Sequence, residues 1–186
     1  MPSWSRIATR TRVPLGFLFA AAYFWFARPA WWSIGAGLAL ILAGLLVRAV
    51  ASGHIRKNAA LTTTGPYAYT RNPLYLGSIL IAAGFGLASR NIWIAAGAVL
   101  MFLLIYMPVI KAEEKYLRSI FPDYGQYAAR VPRLLPRLSP SRAHGEENNT
   151  GQQFSMDLYM RHREYQAAIG SVAMLAALIL RMVWQR

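Results

Sequence analysis

The stretch 61–78, LTTTGPYAYTRNPLYLGS, gathers side chains that could do chemistry into one short run. Gly65-Pro66 is a turn signal, because glycine supplies conformational freedom and proline presets φ. Asn72 can cap a helix, and Pro73 suits the first helical position, where its missing N–H costs nothing. A helix is therefore expected to start at residue 73 with its first N–H groups available to an anion. Arg71 stands immediately before it, and Tyr67, Tyr69 and Tyr75 crowd the same place. Such a corner suits a carboxylate or phosphate held beside aromatic rings.

A second stretch, 111–137, KAEEKYLRSIFPDYGQYAARVPRLLPR, carries Glu113 and Glu114, two of the chain's seven acids. Glu114 and Arg118 are spaced i, i+4 in the order that favours a surface ion pair. Neighbouring residues on a helix point about 100° apart, so one glutamate can face inward while the other faces out. Acids at the end of a membrane helix tend to face the bundle interior and to mark function.

The elements that must position these residues read as membrane helices. Hydrophobic residues make up 56% of the 186 and charged residues 15%, with a mean hydropathy of +0.30; soluble domains carry about 25% charged residues. Apolar segments run over roughly 13–27, 31–47, 73–88, 91–110 and 166–184. The fold expected is an all-α integral membrane protein of about five transmembrane helices. Residues 1–50 form an N-terminal helical hairpin, 51–137 a core with the third and fourth membrane helices, 138–153 a polar linker and 154–186 a C-terminal membrane helix. Arg6, Arg10 and Arg12 precede an aromatic run that ends at Arg28-Pro29 without a small-residue cleavage site, so an uncleaved first helix is expected. Arg10, Arg12 and Arg48 could lengthen the first two segments by snorkelling, and Trp31 and Trp32 suit an interfacial belt.

The net charge is +13. Its distribution argues for topology and against nucleic-acid binding, since no nucleic-acid motif accompanies it. Lys and Arg number three before the first segment, then one, four, one and nine in successive loops. That alternation puts the N-terminus, the loop 48–72 and residues 111–165 in the cytoplasm, with the C-terminus outside against the pull of Arg181 and Arg186. The chain has no cysteine, so single cysteines at Ala60 and Gly125 test the arrangement directly. Both should react with a membrane-impermeant maleimide from the same side; reaction from opposite sides would sink it. The same lack of cysteine excludes disulfides, thiolate nucleophiles and thiolate metal sites, and no metal site is expected. Asn148-Asn149-Thr150 matches a glycosylation sequon by chance on the expected cytoplasmic side.

The pattern Gly65-Pro66-Tyr67-x-x-x-Arg71-x-Pro73-x-Tyr75-x-Gly77, followed by Glu113-Glu114 and then Phe121, Tyr124, Tyr127 and Val131-Pro132-Arg133, resembles the isoprenylcysteine carboxyl methyltransferase family. It is also similar to the related phospholipid N-methyltransferases. The resemblance covers about residues 50–137. It implies a site for S-adenosylmethionine at the cytoplasmic interface and a tunnel into the membrane for a lipid-like acceptor. By that resemblance Tyr67, Arg71, Pro73, Tyr75, Gly77, Glu113 and Glu114 are cofactor-site positions, and His54 and Asn58, just before the motif, join them. Many members have Arg-His-Pro where this chain has Arg71-Asn72-Pro73, and asparagine cannot titrate. Gly84-x-Gly86 matches a glycine pair of phospholipid methyltransferases superficially; close helix packing is its expected role.

Methyl transfer from a sulfonium is an in-line displacement that requires alignment and a dry site. A carboxylate acceptor is already ionised near neutral pH and needs no base; Arg71 or Arg133 would hold it. An amine acceptor needs one, for which Glu113, Glu114 or His54 are candidates. The absence of an obvious histidine–carboxylate pair favours the carboxylate. The expected partners are the bilayer and a membrane lipid or lipidated acceptor, in the plasma membrane of a prokaryote. The alternatives are a phospholipid N-methyltransferase and an NADPH-dependent membrane sterol or fatty-chain reductase. Such reductases carry a similar Arg-x-Pro-x-Tyr-x-Gly segment, but typically with Gly-x-Trp and an Asn before the tyrosine, where this chain has Gly65-Pro66-Tyr67 and Leu74.

Overall fold

The computed structural model describes residues 4–56, 59–141 and 153–184. Asn58, the sequon and most of the polar linker lie outside them. Among the described residues every regular element is helical. The order is α1 (Trp4–Phe26), α2 (Trp31–His54), a 3₁₀ turn (Gly65–Ala68), α3 (Pro73–Ser89), α4 (Ile92–Met101), a π turn (Phe102–Tyr106), α5 (Met107–Ile120), α6 (Tyr124–Arg130), α7 (Met156–Arg161) and α8 (Tyr165–Trp184). The protein is an all-α integral membrane protein. Among the described residues three helical stretches are long and apolar enough to cross a membrane: Trp31–His54, Ile92–Ile120 and Tyr165–Trp184. Val13–Phe26 and Pro73–Ser89 are shorter apolar helices.

Helix boundaries outrun the apolar segments. The first helix begins at Trp4, the second continues to His54, and the fourth runs on as one 29-residue helix to Ile120. Hydropathy marks the part of a helix that meets hydrocarbon, whereas the hydrogen-bond ladder continues into the polar turns beyond it. Arg48, counted above with a loop, therefore lies inside α2.

The π turn has an identifiable cause. Pro108 has no N–H for the carbonyl four residues back, that of Leu104, and its ring would clash there. The wider turn opens the ladder at this point, and the Leu104 carbonyl accepts instead from the Trp4 indole at 3.0 Å.

The chain divides into two compact units. The first comprises Met1–Ile41, Ala82–Leu117 and Ser171–Arg186. Its core is Tyr23, Ala27, Ala88, Ile94 and Leu178, with Phe19, Phe85 and Met174 packed against it. Tyr23 meets Phe85 edge to face and donates its hydroxyl proton to the Phe85 carbonyl at 2.9 Å, which satisfies a polar group that lipid could not. A Cβ on Gly84 would stand 2.6 Å from the Gly37 carbonyl oxygen, so α2 and α3 touch backbone to backbone there. Packing is thus the role of Gly84, as the sequence suggested.

The second unit comprises Leu42–Ile81 and Arg118–Gly170. A Cβ on Gly77 would lie 2.7 Å from the Gly44 carbonyl oxygen and 2.6 Å from Cγ of Arg48. Arg48 runs from this contact into a polar cluster: its Nη1 donates to the Ser78 hydroxyl at 2.5 Å and the Leu74 carbonyl at 3.3 Å. Its Nε and Nη2 donate to Oε2 of Glu164 at 3.0 and 2.7 Å. One arginine thereby joins α2, α3 and the residue that precedes α8. The end of α2 is fastened as well, since Ser155 N–H donates to the Gly53 carbonyl at 2.9 Å and His162 Nδ1 to the Ser52 carbonyl at 3.1 Å.

Candidate functional site

The site is built around the start of α3. Gly65 opens the 3₁₀ turn with φ +57, a conformation that glycine adopts without strain. It also lies against His54: a Cβ on Gly65 would be 2.6 Å from the ring's Cδ2 and Nε2. His54 Nδ1 lies 2.7 Å from the Val50 carbonyl. A carbonyl only accepts, so Nδ1 carries the proton. The His54 ring also meets the Phe154 ring at 6.1 Å. Its shown contacts are those of a residue that supports the turn.

The turn leads into a segment fastened to α6 and the stretch after it by seven hydrogen bonds. The Tyr127 hydroxyl donates to the Tyr67 carbonyl at 2.8 Å. The Thr70 hydroxyl is shared between the carbonyls of Arg133 at 3.2 Å and Leu134 at 3.1 Å. Arg71 N–H donates to the Pro132 carbonyl at 2.9 Å, and Asn72 Nδ2 to the Arg133 carbonyl at 3.0 Å. Arg137 N–H reaches the Tyr69 carbonyl at 3.0 Å, and Ser141 N–H the Ala68 carbonyl at 2.9 Å. Backbone groups of two irregular segments thus satisfy one another where neither has a helical partner.

This clamp fixes the surroundings of Arg71. Tyr67, Thr70, Pro73, Tyr124, Tyr127 and Val131 are buried, and Arg71, Tyr75 and Arg133 are half-buried. The Tyr67 hydroxyl and Arg71 Nε are shielded from solvent. Pro73 is the first residue of α3, as its sequence position implied, and Asn72 occupies the cap, with its carbonyl accepting from Leu76 N–H at 3.0 Å. The Arg118 guanidinium lies 5.7 Å from the centre of the Tyr124 ring, a cation–π distance.

The second unit therefore holds His54, Tyr67, Arg71, Pro73, Tyr75, Gly77 and Arg133. Gly77 faces α2, where its missing side chain permits the helix contact. Glu113 and Glu114 belong to the first unit, on α5. Glu114 is buried, 7% exposed, and Glu113 is exposed; the two neighbours point in different directions as helix geometry requires. Sequence reading missed Thr70, which signals nothing by type or spacing, and the Arg48–Glu164 pair, whose members lie 116 positions apart. Among the described residues no three His, Asp or Glu side chains gather as a metal site.

Comparison with known proteins gives a consistent picture. A cobalt-zinc-cadmium resistance protein of Cupriavidus metallidurans is 42% identical over 84 residues, 45% of this chain and 39% of that protein. A nickel-cobalt-cadmium resistance protein of Alcaligenes xylosoxydans xylosoxydans is 41% identical over 88 residues, 47% of this chain and 41% of that protein. A protein-S-isoprenylcysteine O-methyltransferase of Schizosaccharomyces pombe is 32% identical over 101 residues, 54% of this chain and 43% of that protein. The match thus spans about two fifths of each relative's length. No solved structure matches significantly. The family model for phospholipid methyltransferases matches residues 12–124, well over half of the chain, from α1 through Glu113 and Glu114 to the start of α6. On that match, the chain belongs to the phospholipid methyltransferase family.

Proposed function

We propose that this protein is an S-adenosylmethionine-dependent methyltransferase acting on a lipophilic acceptor in the membrane, a carboxylate of the isoprenylcysteine kind. The supporting observation is the clamp between 67–72 and 127–141, which puts Arg71 and Arg133 in one unit at the N-terminus of α3. Membership of a methyltransferase family and the yeast relative's name agree with it.

The residues fit the cofactor's chemistry. S-adenosylmethionine carries a carboxylate, an ammonium and a sulfonium. Arg71, with its Nε shielded from solvent beside a helix N-terminus, suits the carboxylate. The family resemblance assigns the cofactor's cations to the glutamate pair, of which Glu114, in the first unit, is the buried member. Tyr67 and Tyr75 offer ring faces to the adenine. When bound, the cofactor supplies an electrophilic methyl group on its sulfonium. Arg133 would hold the acceptor carboxylate, which is ionised near neutral pH and so would need no base from the protein. The packed clamp excludes water, and the site opens to the cytoplasmic interface.

Transfer of labelled methyl tests the acceptor. Purified protein given methyl-tritiated donor should label an S-prenylated cysteine as a base-labile ester. Base-stable label on an ethanolamine phospholipid would move the assignment to N-methylation. Label on neither acceptor would contradict the proposal.

A further inference from the structure

Three arginines meet in the first unit. Arg28, Arg90 and Arg181 line an open cleft of about 670 Å³ together with Trp25, Phe26, Pro29 and Asn91. Arg28 is in the turn between α1 and α2, Arg90 between α3 and α4, and Arg181 in the last turn of α8. These are three of the four basic residues that the positive-inside pattern leaves on the minority side, the fourth being Arg186.

The arginines are held in place without a carboxylate among the lining residues. Arg28 N–H donates to the Ser89 carbonyl at 2.8 Å, which ties its turn to the end of α3. Arg90 has φ 51, the left-handed conformation that ends α3, and its guanidinium sits 5.4 Å from the Trp32 ring centre. Arg181 Nη2 donates to the Trp25 carbonyl at 2.6 Å, and its guanidinium lies 5.5 Å from the Phe24 ring centre. Asn91 joins α1 to α4: its Oδ1 accepts from Trp93 N–H at 2.9 Å and its Nδ2 donates to the Phe26 carbonyl at 3.1 Å.

The charge balance of the unit is one-sided. Residues 1–112 and 165–186 contain no aspartate or glutamate. The unit's acids are Glu113 and Glu114, and Asn91 and Glu113 lie at opposite ends of the helical stretch Ile92–Ile120. At 1.5 Å per residue they are about 30 Å apart, roughly the hydrocarbon thickness of a bilayer. No aspartate or glutamate of the first unit therefore lines this cleft.

The depth of the cleft is marked independently. Five of the six tryptophans, Trp25, Trp31, Trp32, Trp93 and Trp184, lie at the helix ends around it and are 54–92% exposed. Tryptophans in this arrangement belong at the headgroup level of a membrane. Arginine forks match phosphate oxygens in geometry as well as charge.

We infer that the Arg28–Arg90–Arg181 cleft binds the phosphate of an anionic phospholipid, at the membrane surface opposite Glu113 and Glu114. The shared chemistry is a phosphate oxyanion, which either a lipid headgroup or free phosphate could present; the aromatic rim favours the lipid. The site is independent of the proposed methyl transfer.

Native mass spectrometry of the purified full chain tests this, with short-chain phosphatidylglycerol, short-chain phosphatidylcholine and inorganic phosphate as probes. Phosphatidylglycerol should be retained in preference to phosphatidylcholine. Arg28→Gln/Arg181→Gln should weaken its retention roughly tenfold or more. Lys111→Gln/Lys115→Gln, which removes the same charge from the exposed face of α5, should not. Inorganic phosphate held as strongly and lost in the same variant supports the anion site and identifies free phosphate as its occupant. Equal retention of the two lipids by the wild-type chain, a comparison that needs no variant, would overturn the inference. Phosphatidylglycerol binding unchanged in the arginine variant, or reduced equally by the lysine variant, would also overturn it.

Discussion

Glu114→Gln should weaken binding of S-adenosylmethionine roughly tenfold or more, about 1.5–3 kcal/mol for a lost charge-assisted hydrogen bond. Glu113→Gln should leave it near the wild-type value. The two glutamates are neighbours in sequence, but Glu114 is 7% exposed and Glu113 faces out. A buried carboxylate can meet a cation with little screening by water, whereas an exposed one contributes about 0–1 kcal/mol. Arg71→Lys should also be damaging, because an ammonium cannot reproduce a planar two-pronged contact. Calorimetry on folded, monodisperse variants checks all three. Near-wild-type affinity in Glu114→Gln and Arg71→Lys would return both residues to a purely structural role.

A second large effect is expected away from the site. Glu164→Gln should lower stability by about 3 kcal/mol, because it leaves the Arg48 guanidinium without its carboxylate inside the helix packing. The pair is close, 2.7 Å, and its side chains are 22% and 13% exposed. Arg48 also bonds Ser78 and the Leu74 carbonyl, so its charge cannot easily turn toward water. For a chain of this size the thermal midpoint should fall by about 6–12 °C. Arg48→Met/Glu164→Met should recover most of that loss, since a matched apolar pair carries no desolvation cost. A single-variant midpoint equal to wild type would show that the pair is too hydrated to matter.

The parts of the fold legible in the sequence were those with local signatures. Asn72-Pro73 marks the start of α3 because cap and first-turn preferences act over adjacent residues. Apolar runs locate the membrane helices for the same reason. The helix ends were less legible: α2 continues past Val47 to His54, and nothing in hydropathy marks where a hydrogen-bond ladder stops in the polar interface. Long-range polar partners were not legible at all. Thr70 bonds carbonyls 63 and 64 positions away, and backbone carbonyls have no sequence identity to read. Gly77 shows a different limit. Its place in a family motif suggested the cofactor site, and the motif could not show that the space it vacates is filled by Gly44 and Arg48 of α2. A glycine in a pattern says that a side chain is excluded, and the structure identifies what excludes it.

The central claim is that this chain binds S-adenosylmethionine as its methyl donor, and equilibrium binding to the purified wild-type protein tests it most directly. Calorimetry in detergent, with S-adenosylmethionine and NADPH titrated separately into the same preparation, discriminates the methyltransferase from a reductase. The account predicts saturable binding of S-adenosylmethionine and no measurable binding of NADPH. Saturable NADPH binding without S-adenosylmethionine binding would contradict it.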